Sequence, residues 1–427
     1  MENDKTNNII IDESSDSVIT ATADKIDPEE KKLKQRQTIF AILIGVLVLA
    51  ILGVCIGIGI REGWSGGNVI SGGTSDNSDN SDSLKGSYIA VAGTYEITGE
   101  NQCIVVSTTG DVKLILNDAT INCDSGPAIY IAKAGDVEIV LNGENTISAT
   151  TSDELEGVIH SKEDLVISGD GSLTVTGNLD GIVSKDTLTI NGGNYVVKTS
   201  DDCIKGKDNV IITDGTFDLT STAGDGIKST NDEDTTLGFI KISGGEITMD
   251  VAQDGIQAET NVTISGGKIT IGSGDDAIHA NGKLEISGGV ISIDAHEGLE
   301  ATYVLINDGT VNITASDDGI NAGSKSDLYT VAIEINGGSV TIDMGAGDTD
   351  AVDSNGSLTI TGGVLDITAQ SPFDYDGTLT YTGGTIIVNG ETINEITNQF
   401  MGGGMGGAGA GGAPTDMSGG QQPMRRW

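Results

Sequence analysis

Residues 180–230 read DGIVSKDTLTINGGNYVVKTSDDCIKGKDNVIITDGTFDLTSTAGDGIKST. Asp180-Gly-Ile, Asp202-Cys-Ile and Asp225-Gly-Ile open three successive units of one pattern. Each unit runs through alternating Ile, Val and Thr to a turn, Gly192-Gly193 in one and Asp214-Gly215 in the next, and a second alternating run follows. Alternation with period two specifies strands, and runs of four to six residues between glycine turns leave no room for helices. The phrase continues at Asp254-Gly-Ile, Asp276-Ala-Ile, Glu297-Gly-Leu, Asp318-Gly-Ile and Asp350-Ala-Val, in steps of 22, 23, 29, 22, 21, 21 and 32 residues. Degenerate units stand upstream at Cys103-Ile104, Ala128-Ile129 and Gly157-Val158, giving about a dozen coils between residues 87 and 397.

Units of about 22 residues with short strands and turns fit one coil of a right-handed parallel β-helix, in which each strand pairs with its equivalent one coil away. Three inward ladders are expected. Ile182, Ile204, Ile227, Ile256, Ile278, Leu299, Ile320 and Val352 form the first. Ile190, Ile212, Ile242, Ile264, Ile286, Ile306, Ile335 and Ile360 form the second, and Tyr195, Phe217, Ile247, Ile269, Ile291, Val311, Val340 and Leu365 the third. Tyr195 and Phe217 are thereby assigned to the core. A nonapeptide calcium β-roll would need a glycine-aspartate period of nine, which is absent.

Composition agrees with a repeating backbone: 63 glycines and 5 prolines in 427 residues, 4% aromatics and a net charge of −41. Residues 62–427 hold 54 acids against 15 bases, a net of −39, and no arginine stands between Arg61 and Arg425. Nucleic acid is excluded as a partner, because phosphate affinity rests on Lys and Arg.

Residues 38–60 (TIFAILIGVLVLAILGVCIGIGI) are 23 uncharged positions, enough to cross a bilayer core about 30 Å thick. Lys31, Lys32, Lys34 and Arg36 precede them and only Arg61 follows closely, so residues 1–37 are expected as a disordered cytoplasmic tail. A cleaved signal peptide is the competing reading, but a leader with nine acids is too acidic for one. Residues 61–86, rich in Gly, Ser, Asn and Asp, are expected to be a flexible extracellular linker, and residues 398–427 a Gly/Met-rich disordered tail. The expected localisation is a single-pass cell membrane protein with its large domain extracellular. Cys103, Cys123 and Cys203 cannot all pair, and a Cys103–Cys123 disulfide stays open at this level.

Equivalent residues one coil apart lie about 4.8 Å from each other. Asp180, Asp202, Asp225, Asp254, Asp276, Glu297, Asp318 and Asp350 therefore form a vertical acidic stripe, thickened by Asp201, Asp275 and Asp317. Carboxylates at that spacing repel by about 1 kcal/mol in water and about 3.5 kcal/mol at an effective dielectric of 20. Calcium, which takes six to eight oxygen ligands in flexible geometry, is the natural remedy. Plain turn chemistry explains one Asp per coil, because Asp bonds its own backbone, but not the doubled Asp201-Asp202, Asp275-Asp276 and Asp317-Asp318. His160, His279 and His296 do not cluster with cysteines, which argues against zinc. Two units carry insertions, with Asp232 and Asp234 in one and Asp327 and Tyr329 in the other, and both are expected to emerge beside the stripe. Asp232 and Asp234 join the candidate metal ligands; Tyr303, Tyr329 and Asp327 are candidate sugar contacts, with Phe373 and Tyr375 as further outward aromatics.

The repeated D-G-I phrases, S-G-G turns, acidic stripe and glycine-rich tail resemble the clostridial-type carbohydrate-binding β-helix proteins over roughly residues 87–397. The resemblance implies a pectate-lyase-like fold, bound calcium, and binding of cellulose or polygalacturonate (pectic acid) at the cell surface. Asp202, Asp225, Asp254 and Asp276 match the acidic phrase best. A lyase reading competes, with Lys205 or Lys228 as base, since both stand three residues after a stripe acid. Carboxylates nearby raise a lysine pKa, so charge compensation is the preferred role and no catalytic residue is assigned. A hydrolase would need one carboxylate pair at a defined separation, which a stripe does not single out. A protein-binding adhesin is the third reading, because an extended repeat surface suits it equally.

Overall fold

The computed structural model describes residues 87–345 and 349–398. The cytoplasmic tail, membrane span and linker expected for residues 1–86, and all but the first residue of the expected C-terminal tail, lie outside the described residues. Among the described residues there is no helix, and so none long and apolar enough to cross a membrane.

The described chain is a parallel β-solenoid of about thirteen coils. Its first strand column begins at Ser87–Ile89 and continues through Ile104–Ser107, Ile129–Lys133, Ile159–Ser161, Ile182–Ser184, Ile204–Gly206, Ile227–Ser229 and Ile256–Ala258 to Asp374–Tyr375. Twelve steps at about 4.8 Å make it about 58 Å long. Every pairing between coils is parallel, and an antiparallel hairpin of Thr385–Val388 with Glu391–Ile393 ends the described column. Through Asp276–Ala295 and Glu297–Ala315 the corners also keep their pairing, so each of these coils is one unbroken strand.

All three expected ladders form in register. Ile204 pairs with Ile182 and Ile227, Ile212 with Ile190 and Ile242, and Phe217 with Tyr195 and Ile247. Tyr195 and Phe217 are buried and stack with ring centroids 4.7 Å apart. The Tyr195 hydroxyl donates to Gly192 O at 2.7 Å, which satisfies its polar end inside the core. One-residue slippage would turn every one of these side chains to solvent, so burial sets the register.

The glycine of the turn between the second and third columns is required twice over. Gly245 has φ +92°, and a Cβ there would stand 2.7 Å from Gly215 O in the coil before. Phe373 corrects the expectation of an outward aromatic: it is 1% exposed, following Val352 in the first ladder and plugging its C-terminal end. Cys103 and Cys123 are disulfide-bonded with Cα atoms 5.0 Å apart, and Cys203 is a free thiol in the core.

Candidate functional site

The acidic stripe begins as a backbone device. The N–H of Asp202 donates to Asp180 Oδ1 (3.1 Å), that of Asp225 to Asp202 Oδ1 (3.0 Å), that of Asp254 to Asp225 Oδ1 (2.9 Å), and that of Asp276 to Asp254 Oδ1 (3.1 Å). The same link recurs from Asp350 N–H to Asp318 Oδ1 at 3.3 Å. A buried N–H at a corner needs an acceptor, and the short Asp side chain one coil below supplies it. Turn chemistry therefore accounts for more of the stripe than the sequence suggests, because it acts between coils rather than within one. The carboxylates are deep: Asp180 is fully buried, and Asp202, Asp225, Asp254 and Asp276 are buried.

Three positions after Asp202 and Asp225 stand Lys205 and Lys228, which reach the second carboxylate oxygens; after Asp180 the same position is the buried Val183, and Asp180 Oδ2 faces Lys205 of the next coil. Lys205 Nζ lies 3.1 Å from Asp180 Oδ2 and 3.0 Å from Asp202 Oδ2; Lys228 Nζ lies 2.6 Å from Asp225 Oδ2 and 3.7 Å from Asp202 Oδ1. Burial alone would lower the pKa of both lysines, but the surrounding carboxylates hold them above the ordinary lysine value. Each is thus a locked ammonium, the reverse of what a catalytic base requires. Burial nonetheless pushes Asp180 up to about 6 against the pull of Lys205.

At the next coils the same position carries Gln257, His279, Glu300, Asn321 and Asp353. His279 Nδ1 sits 2.7 Å from Asp276 Oδ2 and 2.8 Å from Glu300 Oε2, while Lys325 Nζ reaches Glu300 Oε1 at 2.5 Å. Burial would lower the His279 pKa, yet its contacts with Asp276 and Glu300 push it up to about 10, so it is an imidazolium at neutral pH. Glu300 is pulled below its ordinary value by His279 and Lys325 despite its burial.

Beyond this cage no Lys or His forms an ion pair with Glu297, Asp317, Asp318 or Asp353 among the described residues. Burial and neighbouring carboxylates push Glu297 and Asp318 up to about 7 and Asp353 up to about 6; Asp254 is likewise raised to about 7. Four sets of side chains bring ligand atoms within 4.8 Å of one another: Asp180, Asp201 and Asp202; Asp254, Asp276 and His279; Asp276, Glu297 and Glu300; His296, Glu297 and Asp317. The first and third are all-carboxylate, the donor type a hard cation such as calcium takes, but Asp180 and Asp202 already hold Lys205, and Asp276 and Glu300 hold His279, as in the second set; in the fourth, Glu297 and Asp317 form no ion pair with Lys or His among the described residues. Asp275 is exposed and belongs to none of the four.

A family model described as carbohydrate-binding domain-containing protein matches residues 85–277 and 272–398, nearly the whole described solenoid. The chain belongs to this carbohydrate-binding domain-containing family. Among solved structures it is similar to the "polysaccharide lyase-like protein from C. thermocellum, Gadolinium derivative", at 30% identity over 49% of this chain and 92% of that one, with a TM-score of 0.45. No curated protein matches.

In this carbohydrate-binding domain the two insertions do not emerge at the acidic corner, as expected from sequence, but at the far end of the three-residue strand that follows it, after Ile227–Ser229 and after Ile320–Ala322. Neither Asp232 nor Asp234 belongs to the four converging sets among the described residues. Asp234 Oδ1 instead accepts Thr236 N–H at 2.9 Å and its hydroxyl at 2.7 Å, holding the insertion's own turn. Asp232 and Asp327 line a small cleft between the insertions. Tyr303 and Tyr329 stack on each other with centroids 6.3 Å apart, and both are half-buried. Tyr375 is half-buried against the core. His279, Glu300, Asn321, Asp353 and Lys325 escaped the sequence reading. The first four stand three residues after a stripe acid, the offset that marks Lys205 and Lys228, so the signal was present.

Proposed function

We propose that the protein is a membrane-anchored, extracellular carbohydrate-binding protein that holds plant-type polysaccharide, cellulose or polygalacturonate, through calcium on its acidic stripe. Carbohydrate binding follows from the family. One observation supports the rest: Lys205, Lys228 and His279 compensate Asp180, Asp202, Asp225 and Asp276, whereas Glu297, Asp317, Asp318 and Asp353 form no ion pair with Lys or His among the described residues, and burial disfavours the charged forms of Glu297, Asp318 and Asp353. Calcium there would neutralise the surplus and offer open coordination positions to sugar carboxylates or hydroxyls. A domain this acidic repels a polyuronate unless a cation bridges the two. The Cys103–Cys123 disulfide is consistent with an oxidising, extracellular compartment, and residues 38–60 supply the tether.

Binding without cleavage is the favoured reading, because Lys205 and Lys228 are bound to carboxylates as ammonium ions. The test incubates the full-length chain with polygalacturonate and with cellulose, in calcium and in chelator, following retention together with absorbance from unsaturated product. Calcium-dependent retention without product is expected, and it should weaken in Glu297→Gln/Asp318→Asn. Product lost in Lys205→Ala or Lys228→Ala would establish the lyase instead, and retention of neither polymer in calcium would leave the adhesin.

A further inference from the structure

The two insertions stand four coils apart and converge over the coils between them, enclosing a cleft of about 250 Å³. Asn231, Asp232 and Thr235 form one wall, Lys325 to Leu328 the other, and Glu259, Thr260 and Asn281 the floor. We propose that this cleft is a second glycan subsite, one that takes a single neutral sugar residue without calcium. The proposal rests on the carbohydrate-binding reading but not on the acidic stripe.

Both walls are built rather than loose. Asn231 Oδ1 accepts the N–H groups of Glu233 (3.1 Å) and Asp234 (2.9 Å), and its amide donates to Asp208 Oδ1 at 2.6 Å. Opposite, the N–H groups of Lys325 and Ser326 both donate to Thr302 Oγ1 at 2.9 Å, and that hydroxyl donates to Asn281 O at 2.7 Å. On the floor, Asn281 donates to Glu259 Oε1 at 3.0 Å while its Oδ1 lies 3.2 Å from His279 Nε2, which fixes the amide's orientation. Preorganised polar groups of this kind lower the ordering cost of binding a small ligand.

The lining selects the ligand's chemistry. Asp232 and Asp327 carry no hydrogen-bond or ion-pair partner among the described residues, so each wall presents a free carboxylate. Carboxylates are acceptors only and match the paired hydroxyl donors of a sugar. Leu328, 55% exposed at the rim, offers apolar surface to a sugar's C–H face. A uronate is disfavoured: Asp232, Glu259 and Asp327 repel it, and the lone lysine of the cleft, Lys325, is engaged by Glu300. The volume falls below the ~300–1,000 Å³ of drug-sized pockets, which suits one ring rather than a chain.

The experiment measures binding of neutral cello-, xylo- and manno-oligosaccharides and of trigalacturonate to the full-length chain in excess chelator. At least one neutral oligosaccharide should bind, trigalacturonate should not compete, and Asp232→Ala/Asp327→Ala should weaken binding at least about ten-fold, the effect of one charge-assisted hydrogen bond. Calcium-dependent polymer retention should persist in that variant, and an unchanged melting curve confirms its fold. Absence of neutral-sugar binding in chelator, or binding indifferent to the double substitution, overturns the subsite. Loss of calcium-dependent retention in the unaltered chain would instead overturn the stripe reading.

Discussion

The side chain of Asp254 accepts the backbone N–H of Asp276 from the next coil, Oδ1 to N at 3.1 Å. One stripe acid thus serves as an uncharged acceptor would, while its charge is opposed by burial and by Asp225 and Asp276. The two roles separate by substitution. Asp254→Asn keeps an acceptor oxygen and removes the repulsion, so in chelator its melting temperature should equal or exceed that of the parent. Asp254→Ala leaves the Asp276 N–H without a partner and should cost about 1–3 kcal/mol in denaturant unfolding.

Metal-free stability should fall as pH rises from about 4 to about 7. Glu297 and Asp318 have folded pKa values of about 7, above their ordinary carboxylate values. The folded chain therefore holds more protons than the unfolded one across that window, and the stabilisation present at low pH is lost as these groups ionise. Calcium bound there as proposed would compete with those protons, so its stabilising effect, read as a melting shift, should be larger at pH 8 than at pH 5.

Lys205→Ala should destabilise the N-terminal half of the stripe by about 2–3 kcal/mol, below the ~3–5 kcal/mol of a fully buried pair because a fifth of the lysine still meets solvent. Asp180 is left as a buried, uncompensated carboxylate, and Asp202 keeps only Lys228 at 3.7 Å. Urea unfolding in chelator measures the loss, and added calcium should recover part of it.

His160 is fully buried, its ring edge-on to Tyr130 at 5.9 Å, and neither ring nitrogen has a hydrogen-bond partner among the described residues. Burial and the nearby Lys185 push its pKa down to about 4. The unfolded chain, with an ordinary histidine, takes up this proton first as pH falls below about 6.5, so His160 removes stability down to about pH 4, on the order of 3 kcal/mol in all. His160→Phe should be more stable than the parent at pH 4.5, with the gap closing by pH 7.5; an equal gap at both values would assign the effect to packing.

From the sequence alone the solenoid, its three ladders and the stripe were all legible, because each restates one rule once per coil. Ile182, Ile204 and Ile227 could be aligned without coordinates, since side-chain alternation leaves a single register that buries them. The acids Asp180 to Asp276 were legible in the same way. Only the tertiary structure decided what those acids do: the carboxylates of Asp180, Asp202, Asp225 and Asp254 each accept an N–H one coil away, and Lys205, Lys228 and His279 reach across coils to share the acids. It also decided that Phe373 turns inward to close the first ladder, and that residues 231–235 and 325–328 meet over Glu259 and Asn281. These features lie where the repeat is broken, at the last coil and in the insertions. There no periodic burial fixes the path, which instead depends on single contacts such as Thr302 with Lys325 and Asn231 with Asp208, made between residues more than twenty positions apart.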